Sequence, residues 1–141
     1  MTDCIFCAIA DGRAPARIVY SDEHIVGFLD IRPITAGHTL LVPREHSVGL
    51  ADLPAATGAR LFAAGQKVAA AAKIALGADG VNLALNDGKS AFQTVFHTHL
   101  HVIPRHSGDK LAVAKGFLTR RAGDQEAVAA ALRAELDGTT P

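Results

Sequence analysis

Three histidines stand at alternate positions, His97, His99 and His101, within the stretch "FQTVFHTHLHVIPR" of residues 92–105. Two other groups in the chain could do chemistry beside them. Cys4 and Cys7 form a Cys-x-x-Cys pair, and His38 and His46 bracket a short apolar run. In a strand, alternate side chains share one face and recur roughly every 6.7 Å. Three imidazoles so arranged can surround one small anionic group or hold a metal ion. Imidazole is a nucleophile when neutral and a hydrogen-bond donor when protonated. Its ordinary pKa of about 6.5 makes both forms accessible near neutrality. The bland alternative is a solvated face that happens to be rich in histidine. Strict alternation, apolar partners between, and Pro104-Arg105 after it argue against that. The Cys-x-x-Cys pair is a common half of a zinc site; a redox pair and two small fillers near a terminus are its alternatives.

Such groups need elements to hold them. Residues 25–29 are an apolar run that predicts a buried strand ending at Asp30, and residues 38–42 predict another, stopped by Pro43. A long helix follows, with Asp52 as its expected cap and Pro54 in its first turn. Leu61, Val68, Ala72 and Leu76 recur along one of its faces, and Gly77 offers a left-handed stop. Gly58 and Gly65 would each cost about 1 kcal/mol relative to Ala inside that helix, which suggests close packing against a sheet. Residues 81–86 alternate as a strand does, and Asp87-Gly88 marks a turn. Beyond Arg105 the chain reads as polar and irregular until a closing helix near 127–136, capped at Asp124. This order predicts an α+β domain, with an antiparallel sheet carrying a helix on one face.

The 141 residues suit a single domain, and 49% hydrophobic content is ample for one core. Fourteen basic and fourteen acidic residues cancel, which argues against nucleic acid as a partner. The start, "MTDCIFCAIADGR", lacks the pattern of a signal peptide. Arg60, Lys67 and Lys73 interrupt the alanine-rich stretch, so no membrane span is expected. The expectation is a soluble, cytoplasmic protein.

"HTHLHVI" at 97–103 resembles the motif of the histidine triad (HIT) family, His-x-His-x-His followed by two apolar residues. Thr98 stands where an apolar residue is usual. The likeness extends to "CIFC" at 4–7, "FLDI" at 28–31, "GHTLLVP" at 37–43, "NDG" at 86–88 and "FQT" at 92–94, in the family's order over about residues 4–110, with a tail and helix over 111–141. It implies an α+β HIT-like fold with about five antiparallel strands, one long helix and a short C-terminal helix. It also implies a nucleotidyl hydrolase acting at the α-phosphate of a purine nucleotide conjugate, a nucleoside phosphoramidate or a dinucleoside polyphosphate. His99 would be the nucleophile and carry a covalent nucleotidyl group, His101 would contact phosphate, and His38 would support these imidazoles. The alternative for His38 is a hydrogen-bonded structural residue.

By the same resemblance, Gln93 and Thr94 would donate to phosphate or leaving group, and Asn86 would contact phosphate. Asp30 would bind the ribose hydroxyls. Ile5, Phe6, Phe28 and Leu29 would form the base slot. Phe92 replaces a glycine common among relatives. A structural Zn2+ would be held by Cys4, Cys7, His46 and His97, as in some bacterial members, and the protein would be a homodimer. Rival functions are a nucleotidyltransferase, disfavoured by a histidine at 101, and a non-catalytic nucleotide- or zinc-binding adaptor.

Overall fold

The computed structural model describes residues 3–119 and 123–139; the expected tail therefore falls partly outside the described residues. Five strands, β1 (Ile18–Ser21), β2 (Ile25–Leu29), β3 (Thr39–Pro43), β4 (Gly80–Leu85) and β5 (Leu100–Arg105), form one sheet in the order β1-β2-β3-β5-β4. Every neighbouring pair is antiparallel. Helices α1 (Ile5–Ala10), α2 (Ala55–Ala75), α3 (Lys110–Thr119) and α4 (Gln125–Thr139) complete the α+β architecture.

The sheet is covered on both faces, so β2 and β3 are buried along their whole length and read as continuous apolar runs instead of alternating ones. One face packs under α2, whose Leu61, Ala64, Gly65, Val68, Ala71 and Ala72 are buried at helical spacing. Leu29, Leu41, Leu100 and Val102 meet this stripe from the sheet, and Ala129, Leu132 and Leu136 of α4 join from the side. Burying each such Leu or Val contributes about 1.5–3 kcal/mol. A Cβ on Gly65 would lie 3.0 Å from Leu100 Cδ2 and 3.3 Å from Leu83 Cδ1, which explains the glycine in mid-helix. The opposite face carries a smaller cluster of Phe6, Ala10, Val26, Phe28, Leu40 and Val42.

Several expectations need correction. Asp52 does not cap α2. It ends a short 3-10 turn at Leu50–Asp52, and its carboxylate accepts the amide N–H groups of Val48 and Gly49 at 2.9–3.1 Å. Pro54 occupies the N-cap position instead. The segment after Arg105 is not irregular throughout, because α3 forms there, stabilised at its approach by Arg105 clamping Asp109. Helix α1 and strand β1 were not anticipated. The closing helix runs past Leu136, with Asp124 Oδ1 accepting the Ala127 N–H as expected of a cap.

Phe92 lies in the left-handed region (φ 71°) and its ring is 82% exposed. That conformation costs an L-residue about 1–2 kcal/mol, and the exposed ring recovers little by burial. Phe92→Gly is therefore expected to raise the melting temperature by about 2–4 °C, after allowing for the greater freedom of unfolded glycine. A fall on thermal denaturation would contradict the strain.

Candidate active site

The site lies on the α1 face of the sheet. Within β5, Leu100 and Val102 enter the core beneath α2, so the side chain of His101 between them points the other way. His101 sits across from Leu40 on β3 and Ala84 on β4. His38 immediately precedes β3. His97 and His99 lie on the lead-in to β5, because the strand begins at Leu100 and not at 97 as the alternation suggested. The three imidazoles nevertheless share one side, with the Phe6 ring 6.0 Å from that of His97 and 5.0 Å from that of His99.

Hydrogen bonds to fixed main-chain groups assign the protons. The Ile34 amide N–H donates to His38 Nδ1 at 3.0 Å. A neutral imidazole that accepts at one nitrogen carries its proton on the other. His38 Nε2–H then donates to His101 Nδ1 at 2.9 Å, which places the proton of His101 on Nε2. On the neighbouring residue, His99 Nδ1–H donates to the His97 carbonyl at 2.8 Å. His99 is thus left with a lone pair at Nε2. Burial pushes the His99 pKa below the ordinary imidazole value, opposed by its bond to the His97 carbonyl and by the charge of Asp30. The ring centroids of His99 and His101 are 5.0 Å apart. A neutral imidazole with its lone pair defined stands beside a donor whose tautomer is set by a two-step relay. Phe6, buttressed by Phe28 at 5.4 Å, meets the His99 ring nearly at right angles.

Asp30 sits at the end of β2, with one carboxylate oxygen 3.7 Å from His38 Nε2 and the other accepting the Arg32 N–H at 2.9 Å. Asn86 is half-buried just beyond β4, and Thr94 is exposed. Gln93 differs from the expectation of a phosphate donor. It is buried, its Oε1 accepts the Gly88 N–H at 2.8 Å, and its amide donates to the carbonyls of Val48 and Val95 at 2.6 and 3.1 Å. Both of its donors are engaged, so as placed it shapes the loop. Leu29 is not brought to the site either; it packs beneath α2 with Leu41 and Leu100, because it is one residue out of phase with Phe28. Ile5 is 49% exposed at the start of α1. Arg105 is held by Asp109 and by Asn82 Oδ1 at 2.8 Å. Sequence reasoning missed Ile34, whose contribution is a backbone amide with no residue-type signal, and the Ser47–Thr98 pair described below.

A second cluster adjoins the first. Cys4, Cys7, His46 and His97 bring four donor atoms within 4.8 Å of one another. Cys4 Sγ is 3.3 Å from His97 Nδ1, Cys7 Sγ is 3.3 Å from His46 Nδ1, and the two Nδ1 atoms are 3.1 Å apart. A tetrahedron around an ion with bonds of about 2.0–2.3 Å has edges of about 3.3–3.8 Å, close to these separations. The His97 Nε2–H donates to the Pro43 carbonyl at 2.8 Å. This second bond leaves the Nδ1 lone pair facing the sulfurs, the arrangement that orients a metal-binding histidine. Cys4 Sγ also accepts the Cys7 N–H at 3.4 Å. Burial, and then the neighbouring Cys4, push the Cys7 thiol up; a thiophilic cation would offset both. The residues fit a closed, four-coordinate ion.

The chain belongs to the HIT domain family, whose model matches residues 11–108. It is 51% identical over 133 residues to an uncharacterised HIT-like protein of Mycobacterium tuberculosis, covering 94% of this chain and 92% of that one. The crystal structure of a Zn-bound histidine triad family protein from Mycobacterium smegmatis superposes with a TM-score of 0.89 at 52% identity, covering 96% of this chain and 94% of that one. An Arabidopsis thaliana protein named adenylylsulfatase HINT3 is 37% identical over 109 residues, 77% of this chain and 55% of its own length.

Proposed function

We propose that the protein is a nucleotidyl hydrolase that cleaves a purine nucleotide conjugate at its α-phosphate through a covalent intermediate on His99. The observation that carries this reading is the assigned lone pair: His99 keeps Nδ1–H on the His97 carbonyl and presents Nε2 as a neutral nucleophile. Kinship with a protein named as an adenylylsulfatase supports the class of bond cleaved.

In the first step, His99 Nε2 forms a bond to the α-phosphorus as the bond to the leaving group breaks. The ring becomes cationic, and the His97 carbonyl on its Nδ1–H offsets that charge. Oriented dipoles of this kind act without reorganisation. His101 Nε2–H donates to a phosphate oxygen, with Asp30 and the His38 relay favouring the partial charge it gains. The exposed Thr94 hydroxyl hydrogen-bonds to the departing group, which takes its proton from solvent. In the second step, water adds to phosphorus, the P–N bond breaks, the Nε2 lone pair returns, and the water's proton passes to solvent. The products are a nucleoside monophosphate and the protonated leaving group. Asn86 contacts phosphate, and Ile5, Phe6 and Phe28 border the base.

Turnover compared across nucleoside phosphoramidates and dinucleoside polyphosphates, with trapping of a nucleotidyl-His99 adduct, tests this. Hydrolysis of either class with no adduct at His99 would refute the mechanism. The pH profile gives a separate check. Because burial holds His99 neutral, the acid limb of kcat/KM is expected below the ordinary imidazole value of about 6.5. A limb above that value would contradict the assignment.

We infer further that Cys4, Cys7, His46 and His97 hold one structural Zn2+ per chain, supported by the donor geometry and by the Zn-bound relative. When bound, zinc cross-links the elements that bear its ligands. Metal analysis of purified protein should return one equivalent; substoichiometric metal after zinc supplementation would count against it. A reduced thiol pair of this kind suits a cytoplasmic setting. No helix among the described residues is long and apolar enough to cross a membrane. A homodimer formed along the β4 edge is supported by the place of β4 at the end of the sheet and by exposed Phe62 and Ile74 on α2. A monomer in sedimentation at micromolar concentration would exclude it.

A further inference from the structure

His97 is a member of both clusters. Its ring Nδ1 faces Cys4, Cys7 and His46, and its backbone carbonyl accepts the Nδ1–H of His99. The position of that carbonyl decides where the nucleophile points, yet no strand ladder holds it. Pairing of β5 with β3 and β4 starts at Leu100. Residues 97–99 are secured by side chains and a loop instead. His97 Nε2–H binds the Pro43 carbonyl, the Thr98 N–H binds the Ser47 carbonyl at 2.7 Å, and the Ser47 hydroxyl donates to Thr98 Oγ1 at 2.7 Å. The loop that receives these bonds carries His46. The remaining ligands, Cys4 and Cys7, sit at the start of α1, which also carries Phe6 against His99. A helix of six residues has little stability of its own. One ion on these four ligands would therefore fasten α1, the 43–47 loop and the lead-in to β5 at a single point, and two of those pieces touch His99.

We propose that metal occupancy of the Cys4–Cys7–His46–His97 set positions the catalytic His99, with His97 as the positioning residue that joins the two clusters. The proposal rests on the hydrolase reading for its kinetic consequence, but not for its structural one. With the ion bound, the His97 carbonyl is fixed and the His99 N–H is sheltered beneath Phe6. Without it, the four donors converge with only weak S–H···N contacts between the thiols and the imidazoles. α1 then loosens, and His99 loses both its hydrogen-bond acceptor geometry and its cover.

The test uses the full chain loaded with Zn2+, stripped with a chelator and reloaded. The His99 Nδ1–H resonance, identified by its loss in His99→Ala, is followed together with the backbone amides of Ala129 and Leu132 in α4. Stripping is expected to abolish the His99 resonance and leave the α4 amides in place. It should also slow single-turnover adduct formation about 100-fold, the scale of a 1 Å misplacement, while AMP affinity changes less than about threefold. Reloading should restore all of it. A His99 resonance that survives stripping overturns the proposal, and so does its disappearance together with the α4 amides, since the metal would then merely hold the fold.

His46→Ala, which removes the exposed ligand, provides a second arm. The zinc concentrations that restore resonance and rate should move together, and curves that separate overturn the proposal. If the resonance follows zinc in a chain that never forms an adduct, the positioning stands and the hydrolase reading falls.

Discussion

His99→Ala is expected to lower single-turnover hydrolysis by about 10⁴-fold or more while nucleotide affinity stays within about tenfold. The split follows from geometry. The Nε2 lone pair is the only part of His99 that would bond to phosphorus. The groups assigned to hold the nucleotide, His101, Asn86, Asp30, Phe6 and Phe28, remain. Loss of the ring also leaves the His97 carbonyl without its donor, at a cost of about 1–3 kcal/mol in stability. Equal turnover by both forms would end the nucleophile assignment, whereas joint loss of affinity and turnover would point to a binding role alone.

His38→Ala is expected to destabilise the fold by on the order of 3 kcal/mol, with a melting temperature lower by about 10 °C. Its ring is wholly buried, so truncation leaves a cavity. The Ile34 N–H loses its acceptor and His101 Nδ1 loses its donor in the same step. Turnover should fall as well, by about 10- to 100-fold, because the bond that assigns the His101 proton to Nε2 is lost. A large drop in stability with unchanged turnover per folded molecule would make His38 a purely structural histidine, the alternative its sequence context left open.

Much of the site was legible because a strand has a period of two. The position of His101, facing away from Leu100 and Val102, follows directly from alternation, and His99 keeps to the same side although β5 starts one residue after it. The two central strands were legible as apolar runs for a related reason, since a doubly covered sheet has no polar face. What was hidden depends on contacts between distant segments. Gln93 looks like a phosphate donor by type and position, yet three main-chain groups occupy its amide. Asp52 looks like a cap for α2, but turns back onto Val48 and Gly49. The start of β5 at Leu100 is equally unreadable, because Ser47 and Pro43 draw residues 97–98 out of the ladder. Helix α1 is too short to show a helical period, and α3 follows a polar stretch that reads as loop.

Gly116 gives the C-terminal segment a role beyond filling surface. It lies outside the 11–108 span of the family match, and a Cβ there would sit 2.5 Å from the Ile34 carbonyl oxygen. The same residue's amide starts the proton relay through His38. Helix α3 is thus a backstop pressed on the carbonyl side of Ile34, the residue whose N–H bonds His38. Grafting a relative's tail onto this core would displace Ile34, and with it the His38 ring it bonds, unless the incoming helix also brought a residue without a side chain to that spot.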